Sequence, residues 1–83
     1  MIEEIRRLIA KHCNMPGDVA ALTEDADLYG AGLSSFASVQ LMLAIEDRYD
    51  VEFPERMLNR KTFASIGSIA QALRQIVPEG MAA

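Results

Sequence analysis

A small all-α fold is predicted for this chain, a four-helix bundle of three main helices and one short one, with a long loop between the first and second. Two observations predict it. Apolar residues recur at helical spacing in three runs, around Ile2–Cys13, Leu41–Tyr49 and Ile66–Val77. No run alternates apolar and polar residues as a half-buried strand does. At 83 residues and 51% hydrophobic, residues 1–83 read as a single domain near the lower end of what one core can stabilise.

The first helix is expected from Ile2 to about Asn14. Ile2, Ile5, Leu8, Ile9 and Cys13 share a face, with Glu3, Glu4, Arg6, Arg7 and Lys11 between them, and Pro16-Gly17 ends it. Asp18 to Leu22 reads as one further turn or a loop. From Thr23 to Leu33 small and acidic residues with two glycines make a long ordered loop, anchored by Leu28 and Leu33.

The second helix is expected over Ser35–Tyr49, a stretch without Gly or Pro from Phe36 onward. Ser34 or Ser35 is its N-cap, because either hydroxyl can accept a bond from an orphan helix N–H. At about 100° per residue, Leu41, Ile45 and Tyr49 fall on one side with Met42 at the margin. Phe36, Val39 and Leu43 form a second apolar stripe on the side of Ser35, bordered by Glu46 on one flank and by Asp47 and Gln40 on the other. One apolar face is enough for a bundle helix, so the second stripe either meets another core element or is a surface for partners.

Asp50 to Pro54 is an extended link, since a residue before proline avoids the helical region. Pro54 suits the first position of a short third helix over Glu55–Asn59, with Met57 and Leu58 inward. Ser65 caps a last helix over Ser65–Val77, whose inward positions are Ile66, Ile69, Ala70, Leu73, Ile76 and Val77. Pro78 and Gly80 stop it and leave a frayed tail.

Twelve acidic against eight basic residues give a net charge of −4. That argues against nucleic-acid binding, which needs a cationic surface, and suits a basic protein partner. No stretch is long and apolar enough to span a bilayer, and Met1-Ile2-Glu3-Glu4 shows no signal-peptide pattern. A lone Cys13 fits a reducing cytoplasm. The expected protein is a cytoplasmic monomer without membrane or nucleic-acid partners.

Catalytic and metal chemistry find little support. A nucleophile elbow needs Gly-x-Ser-x-Gly, and Phe36 fills the final position of the frame centred on Ser34. The only histidine, His12, is far in sequence from either serine, so a Ser-His-acid triad is not expected. His12-Cys13 as a metal pair would point to different helical faces with no other His or Cys to help, leaving Cys13 as a small core residue and His12 near the boundary. Asp25-x-Asp27 fails as a calcium loop, because Tyr29 and Phe36 occupy positions that need oxygen ligands. No catalytic residue and no metal is expected.

What remains is a serine hydroxyl displayed at the positive end of a helix dipole, a natural seat for phosphate. There the sequence resembles a known family. Gly32-Leu33-Ser34-Ser35-Phe36-Ala37-Ser38-Val39-Gln40-Leu41 is similar to the Gly-x-Asp-Ser-Leu…Val-Glu-Leu signature of acyl and peptidyl carrier proteins. Asp27-Leu28 before the glycines, Val39 to Glu46, and the exit Tyr49 to Pro54 continue the match in order and without gaps. The resemblance implies an acyl-carrier-protein-like bundle without enzymatic activity of its own. It also implies a 4′-phosphopantetheine arm on Ser35, transferred from coenzyme A by a phosphopantetheinyl transferase. Ser34, Phe36, Val39, Gln40, Leu43, Glu46 and Asp47 would then lie where partners dock.

The departures from that pattern indicate a subtype. Ser34 replaces the usual aspartate, Ala37 and Gln40 stand where fatty-acid carriers tend to have carboxylates, and Arg56, Arg60 and Lys61 dilute the acidity around the third helix. Partners that dock through basic patches should therefore bind poorly. Ala31 to Leu43 and Phe53 to Ile66 resemble the bacterial aminoacyl carrier proteins, which receive glycine or alanine from ligases similar to the catalytic core of seryl-tRNA synthetases. An aminoacyl carrier with an unknown downstream acceptor is the leading reading. A fatty-acyl or polyketide carrier is the alternative, and an unmodified interaction scaffold is a third.

Overall fold

The computed structural model describes residues 1–77. Among these, three α-helices and two single 3₁₀ turns form the fold, with no strand. The expected prolyl stop and tail at Pro78 and Gly80 lie outside the described residues.

Helix α1 spans Ile2–His12 and buries Ile5, Leu8 and Ile9. It ends two residues before the expected boundary, because Cys13 is already extended (φ −110°, ψ 120°) and Pro16 lies close behind. A first 3₁₀ turn, Val19–Ala21, follows; the Asp18 carboxylate caps it by accepting the Ala20 N–H. Arg6 of α1 donates to the carbonyls of Val19 and Leu22 and so fastens this turn to the helix.

The long loop that follows is tied down throughout. Asp27 Oδ1 accepts the Tyr29 N–H at 3.1 Å and so caps the turn there. Leu28 and Leu33 are buried as anchors, and their backbones are joined at 2.9 Å. The Leu28 N–H also donates to Ala64 O at 2.8 Å, and the Gly67 N–H to Glu24 O at 2.9 Å, which pins the loop to the start of the last helix. Gly32 closes the loop at φ 115°, and a Cβ there would lie 2.5 Å from Pro16 Cδ. Both backbone conformation and space therefore demand glycine at this position.

Helix α2, Ser35–Tyr49, leaves this loop directly. It buries Leu41, Ile45 and Tyr49, the expected core stripe, and leaves Met42 half-buried. It stops at Asp50, in the left-handed conformation (φ 54°), whose N–H bonds to Glu46 O.

The third helix differs from expectation: a 3₁₀ turn, Glu55–Met57, stands in place of Glu55–Asn59. Asn59 supplies the reason. Its amide nitrogen donates to Arg56 O, which a continuing helix would need for the Arg60 N–H, and its oxygen accepts from Thr62. Met57 is buried as expected, whereas Leu58 is 48% exposed rather than inward. Helix α3, Ile66–Arg74, is capped by Ser65, whose hydroxyl accepts the Ser68 N–H at 3.1 Å. It is shorter than the expected Ser65–Val77, with its last turn completed by Gln75, Ile76 and Val77 bonding back to Ala72 and Leu73. Ile66, Ile69, Ala70, Leu73 and Val77 are buried as expected, and Ile76 packs partly buried against the same core.

The core residues form one cluster that joins all three helices and both 3₁₀ turns. Phe53 and Phe63 meet edge to face within it, their ring centroids 5.4 Å apart. The second stripe of α2 lies outside: Phe36 is 73%, Val39 50% and Leu43 55% exposed. Leu41→Ala is therefore expected to cost about 2–5 kcal/mol in denaturant unfolding, whereas Val39→Ala or Leu43→Ala should cost about 1 kcal/mol or less. Equal losses would place both stripes in the core.

Candidate phosphopantetheine attachment site

The two adjacent serines at the head of α2 have different roles. Ser34 is extended (ψ 162°) and its hydroxyl accepts the Ala37 N–H at 3.0 Å, so Ser34 is the N-cap. Ser35 is the first residue of the helix and is exposed. Among the described residues its hydroxyl takes part in no hydrogen bond, while its carbonyl accepts the Ser38 hydroxyl at 2.7 Å. The capping group is therefore one residue away from an exposed hydroxyl, and the two do not compete.

Beside Ser35 runs an open groove of about 390 Å³ between α2 and the segment after the second 3₁₀ turn. Val39, Met42, Leu58 and Phe63 give it apolar walls. Tyr29 from the long loop and Arg60 stand together on its lining, the guanidinium 3.9 Å from the ring centroid. The sequence pattern placed Leu58 in the core, read Arg60 only as one of three cations diluting the acidity around the third helix, and did not bring Tyr29 to this groove. The stacking partner of Arg60 is 31 positions away in the chain, beyond the reach of any local pattern.

Of the seven positions expected to meet partners, Ser34, Phe36, Val39, Gln40, Leu43 and Asp47 are exposed and Glu46 is only partly so. The Glu46 carboxylate accepts the Phe53 N–H at 2.8 Å, while its main-chain oxygen takes the N–H groups of Asp50 and Val51. Glu46 thus holds the exit of α2, and through Phe53 the Phe63 ring that lines the groove. Arg48 points the other way and pairs with Glu4 of α1 at 2.9 Å.

Cys13 is buried, its thiol 3.5 Å from Ala37 O, and burial pushes the thiol pKa up from its ordinary value. It is accordingly an inert core residue. His12 lies exposed at the end of α1, whereas Cys13 is buried. Among the described residues, no group of three His, Cys, Asp or Glu side chains is placed to hold a metal ion.

Residues 3–73 match the family described as phosphopantetheine attachment site. The chain belongs to that family. Its prosthetic group is 4′-phosphopantetheine, and its members are carriers rather than catalysts. The head of α2 fits that group, with an accessible hydroxyl at a helix N-terminus and an adjoining groove.

Relatives narrow the comparison. An aminoacyl carrier protein of Agrobacterium fabrum is 53% identical over 73 residues, which cover 88% of either chain. A crystal structure of an engineered Bradyrhizobium japonicum glycine:[carrier protein] ligase, complexed with carrier protein from Agrobacterium tumefaciens and AMP, contains a chain 53% identical to this one. The two superpose with a TM-score of 0.86, covering 89% of this chain and 99% of that one. A solution structure from Agrobacterium tumefaciens is 52% identical and covers 90% of both chains with a TM-score of 0.74.

The Glu46 geometry separates a hydrogen-bonding role from a charge role. Glu46→Gln keeps an acceptor for Phe53 and is expected to unfold near the parent midpoint. Glu46→Ala leaves that part-buried N–H without its partner and should cost about 1–3 kcal/mol. If Gln and Ala lose stability equally, the carboxylate acts by charge instead.

Proposed function

We propose that this chain is an aminoacyl carrier protein that holds a small amino acid, glycine or alanine, on a 4′-phosphopantetheine arm attached to Ser35. The observation that carries the attachment site is the division of labour at the head of α2, where Ser34 caps the helix and leaves the Ser35 hydroxyl exposed. Ser35 Oγ would be the acceptor atom for the arm, delivered from coenzyme A by a phosphopantetheinyl transferase. When bound, the group supplies a terminal thiol on which the cargo is carried as a thioester. The chain's own residues hold and present it. The N-terminus of α2 stabilises the phosphate charge, and burial of Cys13 keeps a second thiol out of competition.

The cargo assignment is supported by the aminoacyl carrier relative at 53% identity and by similar chains in complex with a glycine:[carrier protein] ligase. A more distant relative, 25% identical with a TM-score of 0.66, occurs in a Bradyrhizobium japonicum ligase structure described as complexed with glycylated carrier protein. The loading enzyme for this chain would be a ligase of the same kind, resembling the catalytic core of a seryl-tRNA synthetase and working in the cytoplasm. In this reading the second 3₁₀ turn stands for the short helix of the four-helix carrier bundle. Phe36, Val39 and Leu43 offer the apolar contact. Ser34, Ala37 and Gln40, where fatty-acid carriers tend to be acidic, weaken attraction to basic enzymes. Asp47 remains as an exposed acid on the same helix.

The second reading, a fatty-acyl or polyketide carrier, is favoured by one observation, the apolar groove beside Ser35. Competition between cargos distinguishes the two. Holo protein offered glycine or alanine with ATP and the ligase is expected to gain a hydroxylamine-sensitive aminoacyl mass. Offered malonyl-coenzyme A and a malonyl transferase under matched conditions, it should react poorly, and Ala37→Asp with Gln40→Glu should raise that reaction most at low salt. Efficient malonylation with no aminoacyl product would overturn the aminoacyl reading.

A further inference from the structure

We infer that Arg60 is the residue of this chain that pairs with the phosphodiester of the arm, holding it at the mouth of the groove. The inference rests on attachment at Ser35 as proposed above. Ser35 and Arg60 line the same groove, and Arg60 is the one charged side chain in that lining. A phosphodiester on Ser35 Oγ would bring a negative charge to a groove whose one charged lining side chain is the cation Arg60. A guanidinium offers it a planar fork of N–H donors, the geometry best matched to phosphate oxygens.

The structure restrains Arg60 for this task. Its guanidinium rests 3.9 Å from the Tyr29 ring centroid, so a long side chain that would otherwise sample many rotamers is held on the groove side. The backbone beneath it is fixed by Asn59, which bonds both Arg56 O and the Thr62 N–H. Several other cations are committed elsewhere. Arg6 binds the carbonyls of Val19 and Leu22, while Arg7 and Arg48 pair with Glu4. Arg56 and Lys61, although neighbours in sequence, line a separate depression beside Ser68 and Gln71. They therefore serve as built-in controls for a general cationic field.

Because the pair is solvent-exposed, its strength depends on ionic strength. Phosphorus NMR of holo protein reads it directly, once peptide mass mapping has located the arm on Ser35. At about 0.01 M salt, the Arg60→Gln resonance is expected to be displaced from wild type, to the position wild type itself reaches at about 1 M salt, where screening is strong. Lys61→Gln should stay with wild type at both. The inference is overturned if Arg60→Gln and wild type superimpose at low salt, if Lys61→Gln shifts the signal equally, or if the wild-type resonance ignores salt. That last measurement needs no variant to fold. An arm mapped to another residue would instead overturn the attachment reading, which keeps the two failures apart.

Discussion

The loop that leads into α2 turns at Gly32, which lies against Pro16. The pyrrolidine ring sits where a Cβ on Gly32 would have to be, and Gly32 holds a backbone conformation (φ 115°) that L side chains rarely adopt. This contact sets where the long loop ends, and therefore where α2 begins. Two residues later Ser34 is extended and caps the helix, and Ser35 follows as its exposed first residue. Had the loop closed one residue later, Ser35 would fall at the cap and its hydroxyl would be committed to a backbone N–H. The accessibility of the Ser35 hydroxyl is thus a consequence of backbone geometry at Gly32. Leu28 and Leu33 in the core, and the bonds from Leu28 and Gly67 that tie the loop to the start of α3, hold that geometry in place.

The second organising feature is that α2 is apolar on two sides for different reasons. Leu41, Ile45 and Tyr49 complete the core, while Phe36, Val39 and Leu43 meet solvent beside Ser35. Exposed apolar side chains grouped in this way add little to the core and are open to contact from another molecule. Electrostatics there are muted. Glu46 is engaged with Phe53, Arg48 with Glu4, and the positions of Ser34, Ala37 and Gln40 carry no charge. A surface of this kind selects by shape and apolar contact more than by long-range attraction.

Much of this could be read from the amino-acid order. Helical periodicity placed α1, α2 and α3, serine chemistry placed the Ser65 cap and restricted the α2 cap to Ser34 or Ser35, and Leu28 and Leu33 stood out as apolar anchors in a polar loop. The misreadings arose where local rules met competing local or distant partners. Glu55–Asn59 has adequate helical propensity, but the Asn59 side chain captures the carbonyl that the next turn required, and Leu58 turns outward with it. Glu46 read as a surface acid because nothing in its neighbourhood reveals a bond to an N–H seven residues on. Tyr29 and Arg60 are brought together by the tertiary fold alone.

The central claim is that the chain presents one modifiable hydroxyl, that of Ser35. It is tested most directly by incubating the protein with coenzyme A and a broad-specificity phosphopantetheinyl transferase, then mapping the product by tandem mass spectrometry. The account predicts a single arm on Ser35 in the parent and in Ser34→Ala, and none in Ser35→Ala. An arm that persists in Ser35→Ala but disappears in Ser34→Ala would contradict it.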